Sequence, residues 1–544
     1  MKARFTIFAF LLLCFTGLNA QTGYFNGQGV PLKPQSPLFG KDIVIHDSSS
    51  QNQGQVVICS AFNGWLYAGY TYFSTYYNCP AFEILKSIDK GITWNVINEV
   101  ISNPVYSHIS LDMIALGDSI SNLKLFVSFV YTSGDESPGV GYLDRFNGIT
   151  GDWEDILLQD NYCYRIAIST DFMYPANSSS PHSLGVLYSA QNIFTHNIDS
   201  IIFCSSSNGG VSLDNRQVIA TTGNKFHKVA LAYGRSSSYP SGRYFAAWEE
   251  KNDLTSTTGR IYTAHTEPNY NSPFTTPVQL DALDPSATNM CRNPVIVCQY
   301  NNTDNDSSNL TEVVLFEKFK PASGDYDVTG YYNLQAATTS HFRPLNIAAT
   351  ANNELQPDIC FNPYNSKFMV TYFDSTEKKL PFLTNDVNLT SPNSWNVVSQ
   401  GYNDNSNLVA PYPKVELNFA QQDGMNAWIA EGTGGNGIAL FDAPYSTYTG
   451  VSGHSTGTSA KLIGSYPNPG SRTISIAFDL KNAGKVTIDV MSIMGQLIGT
   501  ITDQVYSAGK HAVQYDVSDL PNGNYLYKFR SGDFNAIGKF TVIR

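Results

Sequence analysis

Short apolar or alternating stretches, separated by clusters of Gly, Asn, Asp, Ser and Pro, recur along most of this 544-residue chain. Alternation with a period of two marks strands with one face buried, and the intervening clusters have the chemistry of turns. The stretches fall into sets. The first comprises 56–61, 65–73, 82–85 and 93–97; the second runs from Ile109 through 123–131 and 139–143 to Trp153. A third holds 165–169, 183–188, 201–205 and 213–219, and a fourth is anchored by 244–249 and 259–264. The fifth contains 294–299, 311–319 and 326–334, and the sixth 357–361, 367–373, 381–384 and 395–399. Only 414–419, 425–430 and 437–441 remain for a seventh, while Ile43 to Ile45 stands alone far upstream. Pairing that orphan with the seventh set would close a ring and remove an open sheet edge. The expected fold class is all-β, with seven sheets in a ring; six is the alternative count.

The sharpest local signal is Ser87-Ile88-Asp89-Lys90-Gly91-Ile92-Thr93-Trp94, a bend between two strands. Ser87 and Asp89 can accept hydrogen bonds from N–H groups in the turn. Gly91 can take a positive φ, and Trp94 can bury its ring between neighbouring sheets. A worn echo follows in Ser206-Ser207-Asn208-Gly209-Gly210-Val211-Ser212-Leu213. Bulky residues after turn-rich segments recur at spacings of roughly 60 residues, namely Trp94, Trp153, Leu213, Phe274, Tyr332 and Trp395. The first bend resembles the Asp-box (S-x-D-x-G-x-T-W), or BNR repeat, of sialidase-like β-propellers. The resemblance implies a β-propeller over 21–445, with ligands near its central axis. It also implies that Ser87, Asp89, Gly91, Thr93 and Trp94, and in the echo Ser206, Asn208, Gly210 and Ser212, brace blade rims and take no part in catalysis.

A second pattern begins after residues 446–464, a Ser/Thr/Gly-rich linker. Tyr466-Pro467-Asn468-Pro469 leads into alternating strands, a turn at Gly495, the run Leu520-Pro521-Asn522-Gly523-Asn524-Tyr525, and a final strand through Lys539. As pattern alone, 465–544 is a small antiparallel sandwich. It resembles the type A C-terminal sorting domain of the type IX secretion system of Bacteroidetes. The resemblance implies passage through the secretion machinery and removal of the domain by a sortase-like peptidase, with release or surface attachment.

Residues 1–20 fit a signal peptide: Lys2 and Arg4, an apolar run from Phe5 to Phe15, and a small-residue cleavage site at Ala20. Leu13 precedes Cys14 where a lipoprotein box needs a small residue, so ordinary cleavage is expected. No later run is long enough for a transmembrane segment. A formal net charge of −12 with no basic stripe argues against a nucleic-acid partner. Removing Cys14 leaves seven cysteines, an odd number; Cys291 and Cys298 are the best candidates for a local disulfide, and buried strand thiols are the plainer expectation.

No strong catalytic string stands out. The resembling family's first arginine lies in an F/Y-R-I-P motif, whereas Phe342-Arg343-Pro344 lacks the Ile and falls late, as a strand-leading turn. Arg165, Arg243, Arg260 and Arg292 could supply an arginine cluster only if the fold converged them. Glu249 and Glu250 are adjacent, so on a strand they face opposite ways and cannot flank one bond; a solvated strand end is expected. The segment 301–312 lacks calcium-loop spacing around Asp304 and Asp306. No metal or cofactor is expected. The aromatics between Trp65 and Tyr77 could stack sugars, although core packing is the commoner use. Two functions remain: a non-catalytic binder of glycan or protein, or a diverged exo-acting glycoside hydrolase.

Overall fold

The computed structural model describes residues 42–46, 51–117, 123–134, 137–171, 183–192, 198–236, 238–253, 255–286, 288–300, 310–336, 341–403, 408, 410–419, 421–432, 436–443, 460–466, 470, 472–492, 497–532 and 534–542. The expected signal peptide at 1–20, most of the expected linker at 446–464, Pro467 to Pro469, Gly495 and residues 301–309 lie outside that set. Two compact units emerge, one chiefly of 42–420 with 426–441, the other chiefly of 442–544.

The first unit is a ring of seven four-stranded antiparallel blades. Blade 1 comprises β2 (Gln53–Ser60), β3 (Leu66–Ser74), β4 (Cys79–Ser87) and β5 (Asn95–Ile101). Blade 2 comprises β6 (His108–Leu116), β7 (Lys124–Thr132), β8 (Gly139–Asn147) and the first half of β9 (Trp153–Thr170). From Cys163 onward β9 pairs with β10 (Leu184–Gln191), which leads to β11 (Asp199–Ser206) and β12 (Gln217–Thr222) in blade 3. Blade 4 is β13 (Lys225–Ser236), β14 (Tyr239–Lys251), β15 (Arg260–His265) and β16 (Val278–Gln279). Blade 5 is β17 (Cys291–Cys298), β18 (Glu312–Lys320), β19 (Asp325–Asn333) and β20 (Arg343–Ala348). Blade 6 is β21 (Glu354–Asn362), β22 (Lys367–Asp374), β23 (Phe382–Asp386) and β24 (Asn396–Ser399). Blade 7 takes β25 (Lys414–Asn418), β26 (Asp423–Glu431) and β27 (Gly437–Asp442), and its fourth strand is the orphan β1 (Ile43–Val44), with Ile43 opposite Phe441.

The innermost strands pack in a closed circle: β2 on β6, β6 on β9, β9 on β13, β13 on β17, β17 on β21, β21 on β25, and β25 back on β2. The core lies between blades, because each blade has two apolar faces. Tyr67, Phe82 and Ile84 of blade 1 meet Leu125, Val127 and Phe129 of blade 2, and Phe245 and Ile261 of blade 4 meet Val314 and Phe316 of blade 5. Tyr67 and Tyr70 are core residues, as the commoner reading expects, whereas Tyr76 and Tyr77 are exposed.

The bend at Ser87–Trp94 joins β4 to β5. Ser87 Oγ donates to Asp89 Oδ1 (2.8 Å) and accepts from Gly91 N (2.9 Å); Asp89 also accepts from Thr93 N (2.9 Å) and Thr93 Oγ1 (2.6 Å). Asn208 and Ser206 repeat this scheme between β11 and β12: Gly210 N donates to Ser206 Oγ (2.9 Å) and Ser212 N to Asn208 Oδ1 (3.1 Å). Gly91 (φ +90°) and Gly210 (φ +77°) each back onto a ring of the preceding blade, Phe441 and Phe126, with which a Cβ would collide. Trp94 packs on Phe441 at 5.6 Å between ring centres.

Three expectations need correction. Tyr332 lies within the third strand of blade 5, paired with Arg343; the residue leading the fourth strand there is Phe342. Cys291 and Cys298 sit at opposite ends of β17, about 23 Å apart at the rise of a strand, so they cannot bridge, and all seven described cysteines are buried thiols. Glu249 and Glu250 are not a solvated strand end, because β14 continues to Lys251 and both carboxylates are drawn into contacts: Glu249 is 1% exposed, and Glu250 holds Arg260, Thr222 and Asn224.

The second unit is a β-sandwich. One sheet has the order β28 (Ala460–Tyr466), β29 (Thr473–Leu480), β32 (Gly509–Asp516); the other has β31 (Leu497–Tyr506), β30 (Gly484–Ser492), β33 (Gly523–Ser531), β34 (Phe534–Val542). Ile474, Ile476 and Phe478 meet Val486, Ile488 and Phe529 in its core. Tyr525 stacks on Phe540, and its hydroxyl donates to Pro521 O at 2.8 Å, tying the strand to the turn before it. Leu520 packs at the edge of this core and Lys539 is exposed.

Candidate functional site

The seven innermost strands enclose an axial channel of about 1330 Å³. An innermost strand has no hydrogen-bonded neighbour on its axial edge, so its outward N–H and C=O groups need other partners. The sequence supplies them as side chains reaching across to the next blade. Gln55 of blade 1 donates to Leu111 O (3.0 Å) and accepts from Leu111 N (3.1 Å) of blade 2. Asp112 of blade 2 accepts from Ile168 N of blade 3 (3.1 Å). Asp199 of blade 3 accepts from Phe226 N of blade 4 (3.2 Å), and Glu249 of blade 4 from Asn293 N of blade 5 (3.3 Å). Glu317 of blade 5 accepts from Gln356 N of blade 6 (2.9 Å), and Asp358 of blade 6 from Val415 N of blade 7 (2.9 Å). Phe419 N of blade 7 closes the circle on Ser60 Oγ of blade 1 (3.2 Å).

On blades 4 to 7 these bonds merge into a chain. Asn293, Gln356 and Tyr412 each precede a proline and sit at φ of +53°, +53° and +44°, a conformation costly for any residue with a Cβ. Glu317, fully buried, holds Arg292 Nε (2.7 Å) and Asn293 Nδ2 (2.8 Å) as well as Gln356 N, and Gln356 Oε1 accepts from Tyr412 N (2.9 Å). The Arg292 guanidinium lies 3.9 Å over the Tyr326 ring. The X-Pro pairs Asn293-Pro294, Gln356-Pro357 and Tyr412-Pro413, spaced at blade length, were the sequence signal for this wall.

Desolvation tunes the channel carboxylates. Burial raises Asp112 to about 6, with Lys414 opposing the shift, and raises Glu416 to about 7. Asp358 is also raised by burial, and its charge raises Lys414, whose ammonium is 3.4 Å from Asp358 Oδ1. Of the arginines flagged in the sequence, Arg165 and Arg292 line the channel; Arg243 stacks on Tyr239 and Arg260 pairs with Glu250. Arg343 is on the outermost strand of blade 5, away from the axis. Among the described residues no cluster of three or more His, Cys, Asp or Glu could hold a metal ion, and no helix is long and apolar enough to cross a membrane.

The closed circle of blades defines the class: a seven-bladed β-propeller carrying a β-sandwich tail. Residues 465–543 match the secretion system C-terminal sorting domain. The tail is thus a type IX secretion sorting domain, which marks the protein for export to the cell surface or the medium. No curated protein matches the chain. Among solved structures, an α-L-arabinofuranosidase from Fusarium graminearum is similar at 12% identity and a TM-score of 0.42, covering 74% of this chain and 97% of that one. An α-L-arabinanase from Penicillium chrysogenum is similar at 14% identity and 0.39, covering 75% and 99%. The phage phi92 endosialidase is similar at 10% identity and 0.38, covering 74% and 69%. The ring itself, not these distant likenesses, establishes the architecture.

Proposed function

We propose that this exported propeller is a non-catalytic binding protein whose axial channel takes a glycan or a segment of polypeptide. The observation that carries the reading is the employment of the channel carboxylates. Asp112, Glu249, Glu317 and Asp358 each accept a backbone N–H of the following blade, so none is an uncommitted acid or nucleophile. In the same reading the bends at Ser87–Trp94 and Ser206–Ser212 are sialidase-like Asp-boxes that brace the rim. Residues 1–20 are a signal peptide, 21–445 the propeller and 446–464 a linker. The sorting motif in 465–544 comprises Pro467, Asn468, Pro469, Gly495, Leu520, Gly523, Tyr525 and Lys539, and delivers the chain to the type IX machinery and a sortase-like peptidase.

One observation favours the alternative, a diverged exo-acting glycoside hydrolase. Glu416 lines the channel, accepts only from Leu417 N at 3.0 Å among the described groups, and keeps its proton to about pH 7, as a general acid must. Release from a panel of fluorogenic glycosides decides between the two. The binding reading expects no turnover above blank; turnover that Glu416→Gln abolishes would establish the hydrolase instead.

A further inference from the structure

The aromatic residues of blade 1 divide sharply along one hairpin. On β3, Tyr67 and Tyr70 are fully buried, their hydroxyls bonded to Gly148 O and Glu83. At the end of the same strand and in the turn that follows, Phe73 is 41%, Tyr76 87% and Tyr77 52% exposed. The turn is fixed by Asn78 at φ +52° and by Tyr77 N donating to Ser74 Oγ (3.4 Å), and the Tyr76 and Tyr77 rings stand edge to face at 4.8 Å. Three aromatic residues left this exposed within one hairpin contribute little to the core of the blade.

Phe73 and its strand partner Pro80 line the channel, so the hairpin stands at its mouth. The wall beside it is largely neutral: Asn52, Thr71, Ser107 and Ser110 carry amide and hydroxyl groups, and among the described residues lining the channel on blades 1 and 2 the ionisable side chains are His108, bonded to Ser107 Oγ at 2.7 Å, Tyr72, whose hydroxyl bonds Glu99, the buried Cys59, and Asp112, which is tied to Ile168 N. The wall of blades 3 to 5 is different, with Arg165, Lys228, Lys251 and Arg292. Exposed ring faces beside neutral donors and acceptors suit a neutral sugar: its C–H face packs on an aromatic ring while its hydroxyls exchange hydrogen bonds with amides and hydroxyls. An acidic chain would gain nothing from that wall.

We propose that Phe73, Tyr76 and Tyr77, with the neutral wall of blades 1 and 2, form a docking platform for an uncharged polysaccharide chain that leads into the channel. The inference rests on the channel being a ligand site and names the ligand's class.

Affinity electrophoresis of the purified protein tests it, with gels containing hydroxyethylcellulose, xyloglucan, galactomannan or, as the charged comparison, polygalacturonate. Retardation in a neutral gel is expected. The double variant Tyr76→Ala/Tyr77→Ala should weaken it roughly tenfold or more while leaving the melting temperature unchanged. No retardation in any neutral gel, or retardation that survives the double variant, overturns the platform. The variant Ser110→Trp, which places an indole in the channel, separates the two ideas. Retardation by polygalacturonate alone, lost in Ser110→Trp, keeps the channel and refutes the neutral platform. Neutral retardation lost in the tyrosine variant but kept in Ser110→Trp refutes the channel as a ligand site, and with it the proposed path from the tyrosines into the channel.

Discussion

The two sides of the axial channel use polar chemistry in opposite ways. On blades 4 to 7, Glu249, Asn293, Glu317, Gln356 and Tyr412 are joined in one hydrogen-bonded chain, and three left-handed residues are held where they would not rest alone. At the mouth of blade 1, Phe73, Tyr76 and Tyr77 stand in solvent. One side is occupied with holding blades together, and the other has surface to offer. Counting acids along the axis would therefore mislead: the carboxylates are conspicuous because edge strands need acceptors, and the exposed rings lie elsewhere, at the mouth of blade 1.

Glu317→Ala should break the tied side. It leaves the half-buried Arg292 guanidinium and the N–H of Gln356 without their buried carboxylate, at a cost of about 2–3 kcal/mol, read as a lowered denaturant midpoint; a loss under about 0.5 kcal/mol would show that the chain is incidental. Gly91→Ala extends the argument to the rim. It forces a Cβ into the Phe441 ring at a positive φ, and should cost about 3 kcal/mol, again read from equilibrium unfolding.

Next comes pH. Asp144 and Glu312 are buried between blades and held up to about 7 by desolvation. In the unfolded chain both ionise near pH 4, so between roughly pH 4 and 7 the folded state binds more protons than the unfolded one. These two groups make stability fall as pH rises through that window and level off above it. The melting temperature should be higher at pH 5 than at pH 8, and Asp144→Asn should flatten the difference. A melting temperature that rises with pH would contradict the assignment. The smallest effect belongs to the open side: Tyr76→Ala/Tyr77→Ala should change stability by less than about 0.5 kcal/mol.

Much of the architecture was legible in the sequence, because a strand between two apolar interfaces leaves a dense apolar run and its turns are chemically marked. Even the ring closure was visible, since Ile43 to Ile45 had no local partner and the last set lacked a strand. The innermost strand of blade 4 was not. Its bulge at His227 and Lys228, between Phe226 and Val229, breaks the two-residue period by which strands are recognised. The continuous β9 was hidden for a different reason: a single strand serving two blades has no turn to mark the boundary. Blade 5 was misphased at Tyr332 because its third strand, too, carries a bulky aromatic. The site was least legible. Whether Asp112 meets Ile168, or Glu317 meets Gln356, depends on the register between blades, which the local pattern does not encode.

The central claim is that the channel is a place of binding. Capture of the protein and of its Ser110→Trp variant on a printed array of neutral glycans, acidic glycans and peptides tests it most directly. The account predicts that wild-type protein is captured by a defined subset and that the variant, with an unchanged melting temperature, loses that capture at least tenfold. Equal capture of both proteins would contradict it.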